Sequence, residues 1–362
     1  MSLKFLPALL IASLSAAPCE TPPKTRPSKS FEQSDQLKQA NMSGAYNTSA
    51  RNNTRASWDL YVTGNYIFWQ PMEENLELGV NASTSEVPAG HLSGTIVQTD
   101  FKYKSGFQAG IGIFPSWDNW DAYAQYTWFT GRHFSRSNPS PGQIIIPFWG
   151  SFLDVVNSGN PLENLPLSGK SRWKLSLEVV DLNLGRSYYV GKYLTFRPFF
   201  GARAAWINQK YIASFTTTGQ LLQLRNTTTS WGVGLETGLL ANYLLGCGFK
   251  LIGSAEADLL YTSYNLRTKQ GFDIAVPAVN WREHHLKYLR PHMDLEFGFG
   301  WGSPFSNHNY YVDLSATYGF QVFWNQNMFR SFGGPLGFGT KNPVPNGDLY
   351  IHGLTAQLRF DF

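Results

Sequence analysis

From Trp58 to the last residue, apolar and polar positions alternate in strand-length stretches. This period of two is the mark of β-strands with two unlike faces. The first stretch sets Trp58, Leu60, Val62, Tyr66 and Phe68 against Asp59, Tyr61, Thr63 and Asn65. The second sets Phe101, Tyr103, Phe107, Ala109, Ile111 and Ile113 against Lys102, Lys104, Gln108, Gly110 and Gly112. The third sets Trp120, Ala122, Ala124, Tyr126 and Trp128 against Asp121, Tyr123, Gln125 and Thr127. The fourth begins Trp173, Leu175, Leu177, Val179 and then changes phase to Val180, Leu182, Leu184. A one-residue change of phase predicts a β-bulge there. Six more stretches follow, starting near Leu194, Trp231, Phe249, Arg290, Tyr310 and Leu354.

The charged residues gather on one face with Gly, Ser and Thr. The other face begins and ends in rings with an aliphatic middle. A soluble sandwich turns its polar face outward, whereas a barrel in lipid turns out an apolar band edged by aromatic girdles. The pattern therefore predicts a closed antiparallel transmembrane β-barrel of about ten strands. Links between stretches alternate long (roughly 70–100, 132–170, 208–229, 263–285, 325–347) and short (Pro115 to Asn119, Tyr188 to Lys192, Gly246 to Gly248, Gly302 to Asn307). Five long and four short links suit ten strands with both chain ends periplasmic and long extracellular loops. Leu76 to Val80 and His91 to Thr99 form a further candidate hairpin, and adding it to the barrel gives twelve strands.

Composition agrees with lipid. Aromatic and charged residues are each 15% of 362 residues, where charged residues alone make up about 25% of a typical soluble protein. Mean hydropathy is only −0.25, and nothing past residue 17 approaches the ~20 apolar residues of a spanning helix. Net charge is +4 and unclustered, which argues against a nucleic-acid footprint. Lys4, the apolar run Phe5 to Leu14, and Ser15-Ala16-Ala17 predict a signal peptide over 1–17. Pro18 fits a lipidation site at Cys19 poorly. Residues 18–56, rich in Pro, Ser, Asn and Lys, read as a flexible periplasmic tail, and 57–362 as the barrel.

Leu358, Phe360 and Phe362 close the chain on an alternating strand with a terminal ring. That ending is similar to the signal by which barrel-assembly machinery accepts an outer-membrane substrate. The expected partners are that machinery, outer-membrane lipid and lipopolysaccharide, with a homo-oligomer also open. Cys19 and Cys247 would share the oxidising periplasmic side, where they could bridge, cross-link copies or stay as thiols.

Two hairpins carry a family resemblance. Trp58-Asp59-Leu60-Tyr61 with Tyr66-Ile67-Phe68-Trp69-Gln70-Pro71 is one. Lys104-Ser105-Gly106-Phe107-Gln108-Ala109-Gly110-Ile111-Gly112 with Asp118-Asn119-Trp120-Asp121-Ala122-Tyr123 is the other. They resemble the pore-forming major outer-membrane proteins of Legionella and Chlamydia-like bacteria, over roughly residues 57–362. The resemblance implies a general porin and supplies no catalytic residues.

The lumen-facing candidates are Lys102, Lys104, Arg197, Arg203, Lys250 and Arg290 against Glu256, Asp258, Asp294, Glu296 and Asp313, with His292 among them. Lining an open lumen, they would set a transverse field for passive diffusion of ions and small polar solutes. Neutralising one another, they would plug a structural or adhesive barrel. A ten-stranded outer-membrane protease is the third reading, because His292 and Asp294 share a face. No nucleophile, phosphate-loop or cofactor motif supports it, and Glu283-His284-His285 lacks further ligands at metal spacing. The expectation is therefore no enzyme, no cofactor and no metal. One link holds Ile144-Ile145-Ile146-Pro147-Phe148-Trp149, an apolar run that needs cover: a constriction in the barrel mouth, a neighbouring copy, or a cap on the rim.

Overall fold

The computed structural model describes residues 48–51, 54, 59–84, 93–115, 119–149, 166–217, 220–272, 277, 279–333, 340–343 and 347–362. The expected signal peptide, Cys19, Trp58 and most of the expected tail lie outside them. Ten strands close into one antiparallel barrel: β1 (Leu60–Glu73), β4 (Lys104–Ile113), β5 (Trp120–Ser137), β7 (Ser168–Arg186), β9 (Leu194–Thr216), β10 (Leu221–Gly246), β11 (Phe249–Gly271), β12 (Val279–Phe305), β13 (Tyr310–Phe323) and β16 (Leu349–Asp361). Neighbours in sequence are neighbours in the wall, and β1 pairs with β16 to close the ring. β8 (Tyr188–Tyr189) extends one short turn along β9.

The candidate hairpin pairs as expected but does not join the wall. β2 (Gly79–Ser83) and β3 (Gly94–Val97) form a separate three-stranded sheet with β6 (Gln143–Pro147). The barrel count is therefore ten rather than twelve. β14 (Arg330–Gly333) and β15 (Thr340–Pro343) pair apart from it as well. Residues 48–51, part of the expected tail, meet the wall: Tyr189 N donates to Thr48 O and Ala50 N to Ser187 O.

Two of the expected long loops are mostly strand. β9 to β12 run 23, 26, 23 and 27 residues, whereas ~9–11 tilted residues cross a bilayer. The surplus lies at the end away from Phe362. The hairpins stand out beyond the bilayer, so 208–229 and 263–285 are the tops of these strands.

The expected bulge in the fourth stretch does not occur. β7 pairs without a break from Trp120↔Arg186 to Ser137↔Gly169. Trp173, Leu175, Leu177 and Val179 point inward with Asp181, while Val180, Leu182 and Leu184 point outward. The apolar residues change face because the outer half of this barrel is filled with apolar matter. A register shift appears instead between Tyr264 and Leu266, opposite Leu286 and Glu283.

That filling comes from the links. Leu76, Leu78, Ile145, Trp149 and Phe329 are at most 3% exposed and pack on inward Trp173, Leu175, Leu177 and Tyr211. Trp149 and Tyr211 pack with their rings tilted by 44° and 4.8 Å between centroids. Trp149 Nε1 donates to Glu77 O at 2.7 Å, and Asn327 Nδ2 to Glu74 O at 2.7 Å. These bonds tie the backbone of one link to side chains of the others. The run 144–149 thus folds into the barrel mouth as a plug.

The outer surface of the remaining wall is apolar. Phe297, Phe299, Phe320, Leu235 and Leu182 are each more than half exposed. Such a band is costly in water and natural in lipid.

Candidate functional site

Below the plug, residues from all ten barrel strands line an axial cavity of about 340 Å³. Its upper limit is set by Trp69, Leu177 and Phe323, and its lower end by Ala50, Phe114, Tyr189 and Leu244. The alternation of each strand puts its polar residues here.

Arg203 of β9 organises one side. Its Nε donates to Asp181 Oδ1 at 2.6 Å, Nη1 to Asp258 Oδ2 at 2.6 Å and Nη2 to Glu256 Oε2 at 3.1 Å. Glu236 Oε2 lies 3.6 Å from Nε. Four carboxylates from β7, β10 and β11 thus share one guanidinium, whose rigid fork can serve several oxygens at once. His292 Nδ1 lies 2.6 Å from Asp258 Oδ2 and 2.8 Å from Arg203 Nη1. With a proton on Nδ1 it donates to Asp258; with the proton on Nε2 it accepts from Arg203. Glu256 stands opposite Asp294 in the β11–β12 register. Thr317 Oγ1 donates to Glu296 Oε2 at 3.1 Å.

A second chain of contacts runs nearer the periplasmic end. Arg197 Nη2 donates to Asp121 Oδ2 at 2.6 Å and to Asn183 Oδ1 at 2.9 Å. Tyr61 OH donates to the same Asp121 oxygen at 3.0 Å. The Arg359 guanidinium lies 3.8 Å over the Tyr61 ring and its Nε donates to Asp361 Oδ1 at 2.6 Å. Lys250 pairs with Asp313. Gly110 and Gly112 make room for this wall: a Cβ on Gly112 would sit 2.0 Å from Cζ of Tyr61, and one on Gly110 would sit 2.2 Å from the Tyr123 hydroxyl. These inward glycines therefore let aromatic rings lie flat against the sheet.

Of the lumen candidates, Arg197, Arg203, Lys250, Glu256, His292, Asp294, Glu296 and Asp313 line the cavity. Asp258 sits behind Arg203 with its side chain fully buried. Lys102 is a correction. It precedes β4, is two-thirds exposed, and pairs with Asp100 at 2.9 Å. The strand begins too late to turn it inward. Lys104 opens β4 opposite Trp69, at plug height and outside the cavity. Arg290 is also outside: it is buried under the plug, its Nε donating to the Tyr264 hydroxyl at 3.2 Å and its Nη2 to Met328 Sδ at 3.0 Å. His292 pairs with Asp258 across the register, where the shared face suggested Asp294.

Asp121, Asp181, Glu236, Tyr61 and Arg359 were not singled out in the sequence, although each has inward parity. Their signal was that parity, which does not rank one inward residue above another. Cys247 is exposed at φ 51, between Gly246 at φ 102 and Gly248 at φ 83, in a left-handed turn at the periplasmic end. Cys19, the other end of the one possible intramolecular bridge, lies outside the described residues.

At the chain end, Leu358 is half exposed on the outer surface. Phe360 packs on Phe305 and Tyr310 at 5.6 Å each, and Phe362 on Phe360 at 4.8 Å. Phe362 N donates to Leu60 O at 2.9 Å, which ties the last residue across the seam.

Comparison with protein families matches residues 51–362 to one family, described as the Legionella pneumophila major outer membrane protein precursor. The chain belongs to the Legionella major outer-membrane protein family. Its place is therefore the outer membrane, and the apolar band faces that bilayer. A comparison with curated proteins found no match.

Solved structures similar to this member of the family are themselves barrels. The outer membrane protease OmpT of Escherichia coli is 11% identical, covers 86% of this chain and 100% of its own, and has a TM-score of 0.42. The translocator domain of the autotransporter NalP of Neisseria meningitidis is 12% identical, with 92% and 96% coverage and a TM-score of 0.34. The toluene transporter TodX of Pseudomonas putida is 8% identical, with 84% and 90% coverage and a TM-score of 0.27. Likenesses this distant carry nothing about activity.

Proposed function

We propose that this protein is an outer-membrane channel for ions and small polar solutes, with its outer mouth closed by the apolar plug in the conformation described. The observation that carries this is the axial polar cavity to which all ten strands contribute. A barrel filled by its own wall would have no such space at mid-height. Seven carboxylates and five Arg or Lys line it, so the preferred ions are cations. The plug is made of links rather than wall strands. Moving it breaks side-chain contacts and leaves the ladder of the barrel intact.

Planar-bilayer conductance of the refolded protein tests the reading. Steps should appear, and their cation preference should fall when Glu296→Gln and Asp294→Asn are combined. The depth of the plug favours a second reading, a permanently closed structural barrel. No steps from the wild type or from a plug-weakened variant would establish that reading.

A further inference from the structure

The outer wall carries an unbalanced band of cations just beyond its aromatic girdle. Trp128, Glu178, Trp206 and Trp231 form one register row across β5, β7, β9 and β10. Four residues farther out runs a parallel row, in which each residue pairs with the next: Arg132, Lys174, Lys210, Thr227, Arg267 and Arg282. Five of these six are basic. Two residues beyond it, Arg225 pairs with Lys269 on one side and with Ile212 on the other, which in turn pairs with Arg172. All of these share the outward face of the wall, exposed or half-buried.

Among the described residues, these cations are not neutralised. Among the described residues, none of the eight has a carboxylate within ion-pair distance. Arg172, Lys174 and Arg225 all stand close enough to Lys210 to repel its charge. Arg225 Nε is buried without a hydrogen-bond partner. Like charges gathered across six adjacent strands oppose one another unless an external anion lies among them.

Their height identifies that anion. Four residues along a strand tilted 35–45° lift a side chain about 10 Å above the girdle. The girdle marks the edge of the hydrocarbon, so the band lies at headgroup level. The surplus strand length lies at the same end, which is the extracellular one in barrels of this topology. There the lipid is lipopolysaccharide, whose glucosamine core carries phosphates above several acyl chains. Arg and Lys bind phosphate oxygens by charge-assisted hydrogen bonds. Phe134, 59% exposed and paired with Arg172 in the wall, adds an apolar surface among the cations.

We propose that Arg132, Lys174, Lys210, Arg225 and Arg267, with their staggered neighbours, form a docking surface for the phosphorylated headgroup of lipopolysaccharide. The surface lies on the outside of the wall and does not depend on whether the lumen conducts.

The test uses the full folded chain in detergent, with bis-phosphorylated lipid A as the probe and binding read by native mass spectrometry. Dephosphorylated lipid A should bind about tenfold more weakly or worse. A combined Lys174→Ser, Lys210→Ser, Arg225→Gln variant should lose a similar factor at an unchanged melting temperature. Wild-type binding should also weaken as salt rises. Binding of the triple variant within about twofold of wild type, or equal binding of the two lipid A forms, overturns the proposal. So does phosphatidylglycerol binding as tightly as lipid A, which would mean a generic anionic surface. Competition by millimolar inorganic phosphate would assign the band to free anions instead. Should the triple variant fail to fold, the comparison of the two lipid A forms on the wild type decides.

Discussion

Arg203 Nη1 donates to Asp258 Oδ2 at 2.6 Å, between residues held two strands apart on β9 and β11. The bond spans β10, whose Glu236 lies under the same guanidinium. One cation thus fastens a quarter-turn of the barrel from inside.

The two partners should respond unequally to mutation. Arg203→Gln leaves Asp181, Glu236, Glu256 and Asp258 without their cation in a confined space. Removing one partner of a buried charge cluster costs about 3–5 kcal/mol. Asp258→Asn keeps the guanidinium on its other carboxylates and should cost about 1–2 kcal/mol. Urea unfolding of the two refolded variants checks the order. Equal losses would mean that Arg203 is held by Asp258 alone.

The plug depends on Trp149, 3% exposed against Tyr211 and Phe329. Trp149→Ala should remove about 3–5 kcal/mol of packing from the plug. The wall ladders are untouched, so the barrel should persist while the 132–170 connection becomes more sensitive to protease. Bilayer openings should become more frequent. Unchanged protease sensitivity would show that the plug is held elsewhere.

Gly112 is among the tightest of the inner-wall glycines, with a Cβ position 2.0 Å from Cζ of Tyr61. Gly112→Ala should push Tyr61 off Asp121 and from under Arg359, at a cost of about 1–3 kcal/mol. Gly64→Ala on the same hairpin is the control, because nothing lies within 4 Å of its Cβ. Thermal melting in detergent separates them, and equal shifts would deny the crowding.

The final strand gives a prediction about assembly. Phe362 packs its ring on Phe360 and donates a backbone bond to Leu60. Losing one ring from a lipid-facing surface removes a few kcal/mol at most. Deleting Phe362 should lower outer-membrane yield far more than refolded stability. Phe320→Ala, another outward ring in mid-chain, should cost similar stability with little yield. Equal yield losses would reduce the terminal signal to ordinary packing.

Alternation alone was enough to group the residues of β1, β4, β5, β10, β11, β12, β13 and β16 by face. A strand repeats every two residues, and lipid on one side demands an unbroken apolar row. Strand count and closure followed from the number of such rows and the spacing of their links. The cavity charges Arg197, Lys250, Glu296 and Asp313 were legible for the same reason.

Alternation does not say what the inner face touches. Trp173, Leu175, Leu177 and Val179 looked like lipid-facing residues before a bulge, because an apolar row implies an apolar neighbour without naming it. Only the tertiary structure supplied that neighbour, in Leu76, Leu78, Ile145 and Trp149. These come from links separated from β7 by up to ~100 residues of chain, a distance across which local patterning carries no information. Strand ends were hidden likewise. Beyond the hydrocarbon the outward face turns from rings to Arg132, Lys174 and Lys210, so the apolar signal stops while the ladder continues. The sequence determined the barrel and which residues share a face; the folded links decided where its lumen is open and where it is closed.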